Sequence, residues 1–98
     1  MRALSTLAAT LALATAAAPA LAEMRGDLLA QACAGCHGQS GVGQGAVPDI
    51  RGYDRDFFIR TWAEFRADER PATIMNRIAR GYTEAEVAAL ADYFATLE

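Results

Sequence analysis

An uncharged segment near the start of the chain constrains the fold most, because it leaves few residues for a folded domain. No charged side chain lies between Arg2 and Glu23. One positive charge, a long apolar run and the tripeptide Ala-Leu-Ala at 20–22 occur in the order of a secretory signal peptide. We predict that residues 1–22 are a signal peptide, cleaved after Ala22.

An uncleaved membrane anchor is the alternative, since about 20 apolar residues could cross a bilayer. The segment is only weakly lipophilic, however, because it is mostly alanine and includes Ser5 and three threonines. Pro19 would also disturb a helix near its end. With cleavage, we expect a periplasmic protein whose domain over residues 23–98 has no membrane span.

Residues 23–98 make a small domain that is too short to form a large hydrophobic core from its own side chains. A chain of this length buries little surface unless a disulfide, a metal or a cofactor adds to it. The whole chain of 98 residues has a formal net charge of −3. No broad basic field is therefore present to bind nucleic acid.

The first half of the domain predicts a short helix followed by a long loop. Leu28, Leu29 and Ala32 are available to one face of a helix over residues 25–32. Residues 38–52 contain five glycines and one proline, which is typical of an irregular loop.

The second half predicts further helices. Asp54 is a candidate N-cap for a helix that places Phe58, Trp62 and Phe65 on one face, with Arg60, Glu64 and Arg66 elsewhere. A short apolar pattern follows over residues 72–80, and Thr83 to Glu86 form a capping box that starts the last helix. With no strand alternation of any length, we predict an all-α domain of about four helices.

Both cysteines and the single histidine of the chain stand together as Cys33, Cys36 and His37. This spacing is the c-type heme attachment pattern. Two thiols three residues apart can add to the two vinyl groups of one porphyrin, and the next residue then directs its imidazole at the iron. We predict one covalent heme c, with His37 as the proximal iron ligand. The porphyrin would also supply the apolar surface that a short chain lacks.

Three other readings of the cysteines are less favoured. A disulfide between Cys33 and Cys36 would close a tiny loop and would stabilise the fold little. A thioredoxin-like redox pair needs a preceding strand and a βαβ unit, which the pattern does not show. A zinc site needs a fourth ligand, and the chain has no third cysteine or second histidine.

Met75 is the candidate for the second axial ligand of the iron. Met1 leaves with the signal peptide, and Met24 lies at the new N-terminus, only nine residues before Cys33. Met75 follows His37 by 38 residues, which is enough chain to reach the opposite face of a heme. The alternative is that Met75 only fills space in the core, as methionine often does.

The chain from Leu28 to Leu97 resembles the class I cytochromes c. The matching segments are Cys33 to Gly38, Val47 to Gly52, Met75, and Thr83 to Leu97. Within that class, Phe65 to Thr83 looks like the cytochrome subunit of flavocytochrome c sulfide dehydrogenase, in which a T-I-M-x-R-I-A-x-G-Y run carries the axial methionine.

The resemblance implies a small class I cytochrome c fold of about four helices around one heme. It implies that the carbonyl of Pro48 accepts a hydrogen bond from His37, although Pro48 could simply stiffen the loop. It places Gly26, Tyr93 and Phe94 where the first and last helices cross. Arg51, Trp62 and Arg77 could reach the heme propionates, with a solvated arginine or a core tryptophan as the alternatives.

The resemblance also implies a function in electron transfer rather than catalysis. We expect a periplasmic heme subunit that accepts electrons from an FAD-containing flavoprotein that oxidises sulfide, and passes them to another electron-carrier protein. Many such subunits carry two heme domains, whereas this chain has one attachment motif. Class I carriers often have a ring of lysines around the heme edge, whereas this chain has no lysine, so docking through lysine is excluded. The alternatives are a free-standing, diffusible cytochrome c between respiratory complexes, and a heme sensor or enzyme with an open distal site.

Overall fold

The computed structural model describes residues 25–98, and these residues form helices joined by turns and one long loop. The predicted signal peptide lies outside the described residues. The described residues include no strand, and a single β-bridge joins Gln44 and Val47. The helices are α1 (Gly26–Leu29), α2 (Gln31–His37), α3 (Arg55–Arg66), α4 (Met75–Ile78) and α5 (Glu84–Ala95). Short 3-10 turns span Gln39–Gly41 and Ala79–Gly81.

The all-α prediction is confirmed, with one difference in the first helix. α1 and α2 meet at Ala30, which is itself helical (φ −65°, ψ −19°), so together they are the first of the four predicted helices. This helix continues through the cysteine motif to His37 rather than ending near residue 32. The attachment motif is therefore helical.

The buried face of the first helix also differs from the predicted one. Leu29 packs against the core as predicted, but Leu28 is 53% exposed and Ala32 is also exposed. Ala30 belongs to the core instead, and Cys33 packs against it. The reason is a close crossing with α5, because a Cβ at Gly26 would lie 2.3 Å from the carbonyl oxygen of Ala89. Gly26, Ala30 and Cys33 are spaced i, i+4, i+7, so this crossing turns their shared face inward.

α3 and α5 supply most of the buried side chains. Phe58 stacks on Trp62 within α3 and on Phe94 of α5, with 5.9 Å between ring centroids in each pair. Both helices begin at the predicted caps. Asp54 accepts a hydrogen bond from the Phe57 amide, and Thr83 forms a reciprocal capping box with Glu86. The remaining fully packed core residues are Ala79, Val87, Leu90 and Ala91.

Along residues 25–98 no helix has the length and apolar character needed to cross a membrane.

Candidate functional site

The two cysteines of the motif lie on the same helix with different exposure. Cys33 is half-buried against the core, and Cys36 is exposed; both are free thiols. Burial raises the pKa of the Cys33 thiol above its ordinary value, so this thiol stays protonated at neutral pH. One turn of helix separates the two side chains, which therefore project from neighbouring positions on one face.

His37 ends α2 and is the one buried polar side chain among the described residues, at 8% exposure. Its Nδ1 lies 2.7 Å from the carbonyl oxygen of Pro48. A carbonyl oxygen only accepts hydrogen bonds, so Nδ1 carries the hydrogen and donates it. In the neutral ring, Nε2 then keeps its lone pair, which is the state that a metal ligand requires.

The loop that presents Pro48 is anchored to the end of α2. The Gly43 amide donates to the His37 carbonyl at 2.6 Å, and Gln44 Nε2 donates to the Cys36 carbonyl at 3.2 Å. Gln44 and Val47 exchange two backbone hydrogen bonds, which close a tight turn just before Pro48. The predicted loop is thus irregular in shape but well connected to the motif.

Gly43 allows this loop to fold closely on itself. Its φ is +90°, and a Cβ there would lie 2.9 Å from the Asp49 amide nitrogen and 3.2 Å from the Pro48 carbonyl carbon. An L-residue rarely adopts this conformation, and the added atom would meet backbone that cannot move easily. Glycine at this position therefore helps to place the Pro48 carbonyl beside His37.

Met75 begins α4 and is half-buried against the core. Its neighbour Ile74 is 53% exposed. The side chain of Asn76 donates to Asp68 at 3.2 Å, and its buried Oδ1 has no hydrogen-bond partner among the described residues. The Met75 segment therefore includes a buried polar side chain that is only partly satisfied within the described residues.

Two side chains of α3 hold the turn that follows α4. Trp62 Nε1 donates to the Ala79 carbonyl at 3.1 Å. Arg66 donates to the Tyr82 carbonyl and also approaches the Ala79 carbonyl at 3.4 Å through both Nε and Nη2. The prediction that Arg66 lies away from the Trp62 face is wrong. Its i, i+4 spacing from Trp62 was the signal that would have placed both on one face.

Tyr82 connects this turn to the cysteine motif. Its ring packs edge-on against Trp62, with 5.2 Å between centroids. Burial raises the pKa of the Tyr82 phenol, and the nearby Cys33 and Glu86 raise it further. Tyr82, Met75 and Cys33 all pack against the same buried core, so the Met75 segment and the attachment helix share that core.

Two of the three residues that the resemblance associates with heme propionates, Arg51 and Trp62, have other partners here. Arg51 pairs with Asp49 at 3.1 Å and donates to the Glu98 carbonyl at 2.9 Å. Trp62 is a core residue whose indole N–H is already engaged by Ala79. Arg77 is exposed and forms no ion pair within residues 25–98.

The donor set fits a covalently attached heme. Two free thiols stand one helical turn apart, and a buried imidazole next to them has one nitrogen occupied and the other available. A thioether at Met75 packs against the same core as Cys33. Thiols suit attachment, while imidazole and thioether are the ligands typical of an electron-carrying heme.

The fold and this donor set define a small class I cytochrome c. A profile of the cytochrome c family matches residues 23–98, and the chain belongs to that family. The family implies covalently bound heme c and a role as an electron carrier.

Among its relatives, the chain is similar to the cytochrome subunit of sulfide dehydrogenase from Chlorobaculum tepidum. The two are 37% identical over 75 residues, which cover 76% of this chain and 68% of that protein. The chain is also 35% identical over 66 residues to cytochrome c-552 of Acidithiobacillus ferridurans, covering 67% of this chain. It is 33% identical over 69 residues, 66% of this chain, to the thiosulfate dehydrogenase electron acceptor of Stutzerimonas stutzeri.

The chain spans different shares of these relatives. The match covers about two thirds of the Chlorobaculum protein but only 29% and 32% of the other two. The similarity to those two longer proteins therefore concerns one cytochrome domain.

Proposed function

We propose that this protein is the heme subunit of a sulfide-oxidising complex, in which it accepts electrons from an FAD-containing flavoprotein. The observation that carries the proposal is the 37% identity to the cytochrome subunit of sulfide dehydrogenase. The Thr73 to Thr83 run, which looks like the axial-methionine segment of that family, supports the same partner.

In this proposal, Cys33 and Cys36 would hold the heme, and His37 and Met75 would ligate its iron. The heme supplies a centre that gains and loses one electron at a time. Pro48 keeps the hydrogen of His37 on Nδ1 and so leaves Nε2 for the iron. The Met75 thioether would close the sixth position and raise the reduction potential, which suits an electron acceptor.

The partner has to perform the two-electron chemistry. Oxidation of one hydrosulfide ion to the level of elemental sulfur releases two electrons and one proton. This chain would accept those electrons one at a time, so each sulfide requires two transfers to it and two onward transfers to another electron-carrier protein. The flavin of the partner is the group that can take two electrons and release them singly.

Co-purification tests the subunit assignment. Native protein purified at physiological salt is expected to bring with it a flavoprotein whose flavin is reduced by sulfide and which then reduces this chain. The same preparation without sulfide is the control. If the native protein purifies without any flavoprotein, the subunit assignment is wrong.

A free-standing carrier is the second candidate, favoured by an uneven charge distribution. Residues 60–81 contain five arginines and three carboxylates, although the whole chain is negative. Arg77 and Arg80 in this segment are exposed and form no ion pair within residues 25–98. A diffusing carrier steered by these charges would lose reaction rate as salt rises, whereas a stable subunit would not.

We also propose that the protein acts in the periplasm. The order of charge, apolar run and Ala-Leu-Ala site over residues 1–22 supports export and cleavage. The mass of the protein from a periplasmic fraction is expected to correspond to a chain that starts at Glu23. An intact N-terminus in the membrane fraction would show instead that the segment is kept as an anchor.

A further inference from the structure

The segment that carries Met75 has little helical stability of its own. α4 has only four residues, and no side chain caps its N-terminus at Ile74. Helices this short do not persist without tertiary contacts, because the free-energy cost of nucleating a helix exceeds what the hydrogen bonds of a single turn contribute. Contacts from elsewhere in the chain must therefore hold Met75 in position.

Those contacts converge on two carbonyl groups just after α4. Ala79 is fully buried, so its carbonyl needs donors from the protein. Trp62 and Arg66 supply them, and Arg66 also donates to the Tyr82 carbonyl. The clamp, as we call Trp62 and Arg66 together, fastens residues 79–82 to α3.

The charge of Arg66 has no carboxylate partner in the part of the chain that the structure describes. It lies instead at carbonyl groups that end the α4 segment, where the negative ends of peptide dipoles favour a cation. The planar guanidinium can reach two acceptors at once, which the single ammonium of lysine does less well. Loss of Arg66 would leave both carbonyls with fewer donors.

We propose that Arg66, together with Trp62, is a positioning residue that keeps the Met75 thioether on the heme iron against competing ligands. The guanidinium fixes residues 79–82, these residues fix the end of α4, and α4 fixes Met75 at its start. The inference rests on the proposed role of Met75 as axial ligand.

The test is a titration of the oxidised, heme-loaded protein with imidazole, which competes for the sixth position. The readout is loss of the weak long-wavelength absorption band of the methionine–iron bond. Arg66→Met removes every donor while keeping an unbranched apolar stem. In this variant we expect imidazole to displace half of the methionine ligand at a concentration about tenfold lower than in the wild type. A tenfold change corresponds to about 1.4 kcal/mol, which is close to the contribution of one hydrogen bond to a charged group.

Arg60→Met is the matched control, because Arg60 lies on the same helix but is exposed and stacks over the Phe57 ring. Its midpoint should equal that of the wild type. Arg66→Lys should fall between the wild type and Arg66→Met. A wild-type midpoint in Arg66→Met, or an equal shift in Arg60→Met, would overturn the proposal.

If Arg66→Met does not take up heme, Trp62→Phe provides a second test of the proposal that the clamp positions Met75. This variant removes the indole N–H but keeps a ring that can stack on Phe58. It should lower the imidazole midpoint about threefold, since one neutral hydrogen bond is lost. If both Arg66→Lys and Trp62→Phe behave like the wild type, the clamp does not position Met75.

Met75→Ala separates this inference from the assignment on which it rests. If Met75→Ala lacks the long-wavelength band and binds imidazole far more tightly, Met75 is the ligand, and the Arg66 variants decide the clamp. If the wild type has no such band, or Met75→Ala has the wild-type midpoint, the ligand assignment fails and the clamp proposal fails with it.

Discussion

His37 and Met75 both belong to short helical segments, but the contacts that hold them differ in kind. Pro48, which bonds to His37, is 11 residues away and belongs to the adjoining loop. Met75 depends on a turn that is bonded to α3 across 13 to 17 residues. The His37 side is held mainly by backbone and the Met75 side by side chains from another helix.

This difference predicts different sensitivities on the two sides. Backbone hydrogen bonds in a glycine-rich loop tolerate most side-chain changes but not added atoms at the glycines. A side-chain clamp can instead be weakened by single substitutions that leave the rest of the fold intact. The following changes test that comparison.

His37→Ala is expected to have the largest effect, because the chain has no other histidine to replace the proximal ligand. We expect complete loss of protein with the wild-type reduced c-type spectrum after expression with a heme-attachment system. Absorption spectra of the purified protein provide the measurement. A variant that keeps the wild-type spectrum would show that His37 is not the proximal ligand.

Met75→Ala should have a milder result, since the cysteines and His37 would still hold the heme. The open position should let the reduced protein bind carbon monoxide, and the reduction potential should fall because a thioether ligand raises it. Carbon monoxide difference spectra and a redox titration measure both effects. Met24→Ala is the control and should match the wild type; an unchanged Met75→Ala would refute the ligand assignment.

Gly43→Ala tests the backbone-held side. The substitution forces an L-residue to a φ of +90° and places its Cβ 2.9 Å from the Asp49 amide. We expect a loss of about 3 kcal/mol in the free energy of unfolding, from backbone strain plus overpacking. Denaturant unfolding of the heme-loaded protein measures it.

Gly45→Ala is the matched control for Gly43→Ala. Gly45 also has a positive φ, +56°, but no atom lies within 4 Å of the added Cβ. Its cost should be about 1 kcal/mol, from the backbone conformation alone. Equal losses in the two variants would show that close packing around Pro48 does not matter.

Thr83→Ala should have the smallest effect of these changes. Thr83 lies at the start of α5, just after the turn that follows the Met75 segment. The substitution removes the hydroxyl that caps α5, with an expected cost of about 1 kcal/mol in the free energy of unfolding. Thr83→Ser retains the hydroxyl and should recover most of the stability. If thermal unfolding shows the same loss in both variants, the capping hydrogen bond is not the cause.

Local features of the sequence predicted much of this structure. The caps at Asp54 and Thr83 depend on residues only three positions apart, so they form as the pattern indicates. The loop over residues 38–52 follows from its five glycines, all of which adopt positive φ: Gly38, Gly41, Gly43, Gly45 and Gly52.

Features that depend on distant contacts were predicted less well. The inward face of the first helix was misassigned to Leu28 because the close approach of Gly26 to Ala89 joins residues 63 positions apart. Arg66 was placed away from the face of Phe58, Trp62 and Phe65, although it follows Trp62 by four residues. Its actual partners are backbone carbonyl groups, and the residue types in the sequence do not show which carbonyls a side chain will contact.

The sequence by itself determined the chemistry of this protein: the attachment motif, its single histidine and the N-terminal caps of α3 and α5 are all encoded within a few neighbouring residues. The resemblance implied Pro48 as the partner of His37, but the tertiary structure showed that Nδ1 makes this bond and decided what holds the Met75 segment. Both depend on backbone carbonyls, at Pro48 and at Ala79 and Tyr82. Every residue has a carbonyl, so only the folded chain shows which of them a side chain meets.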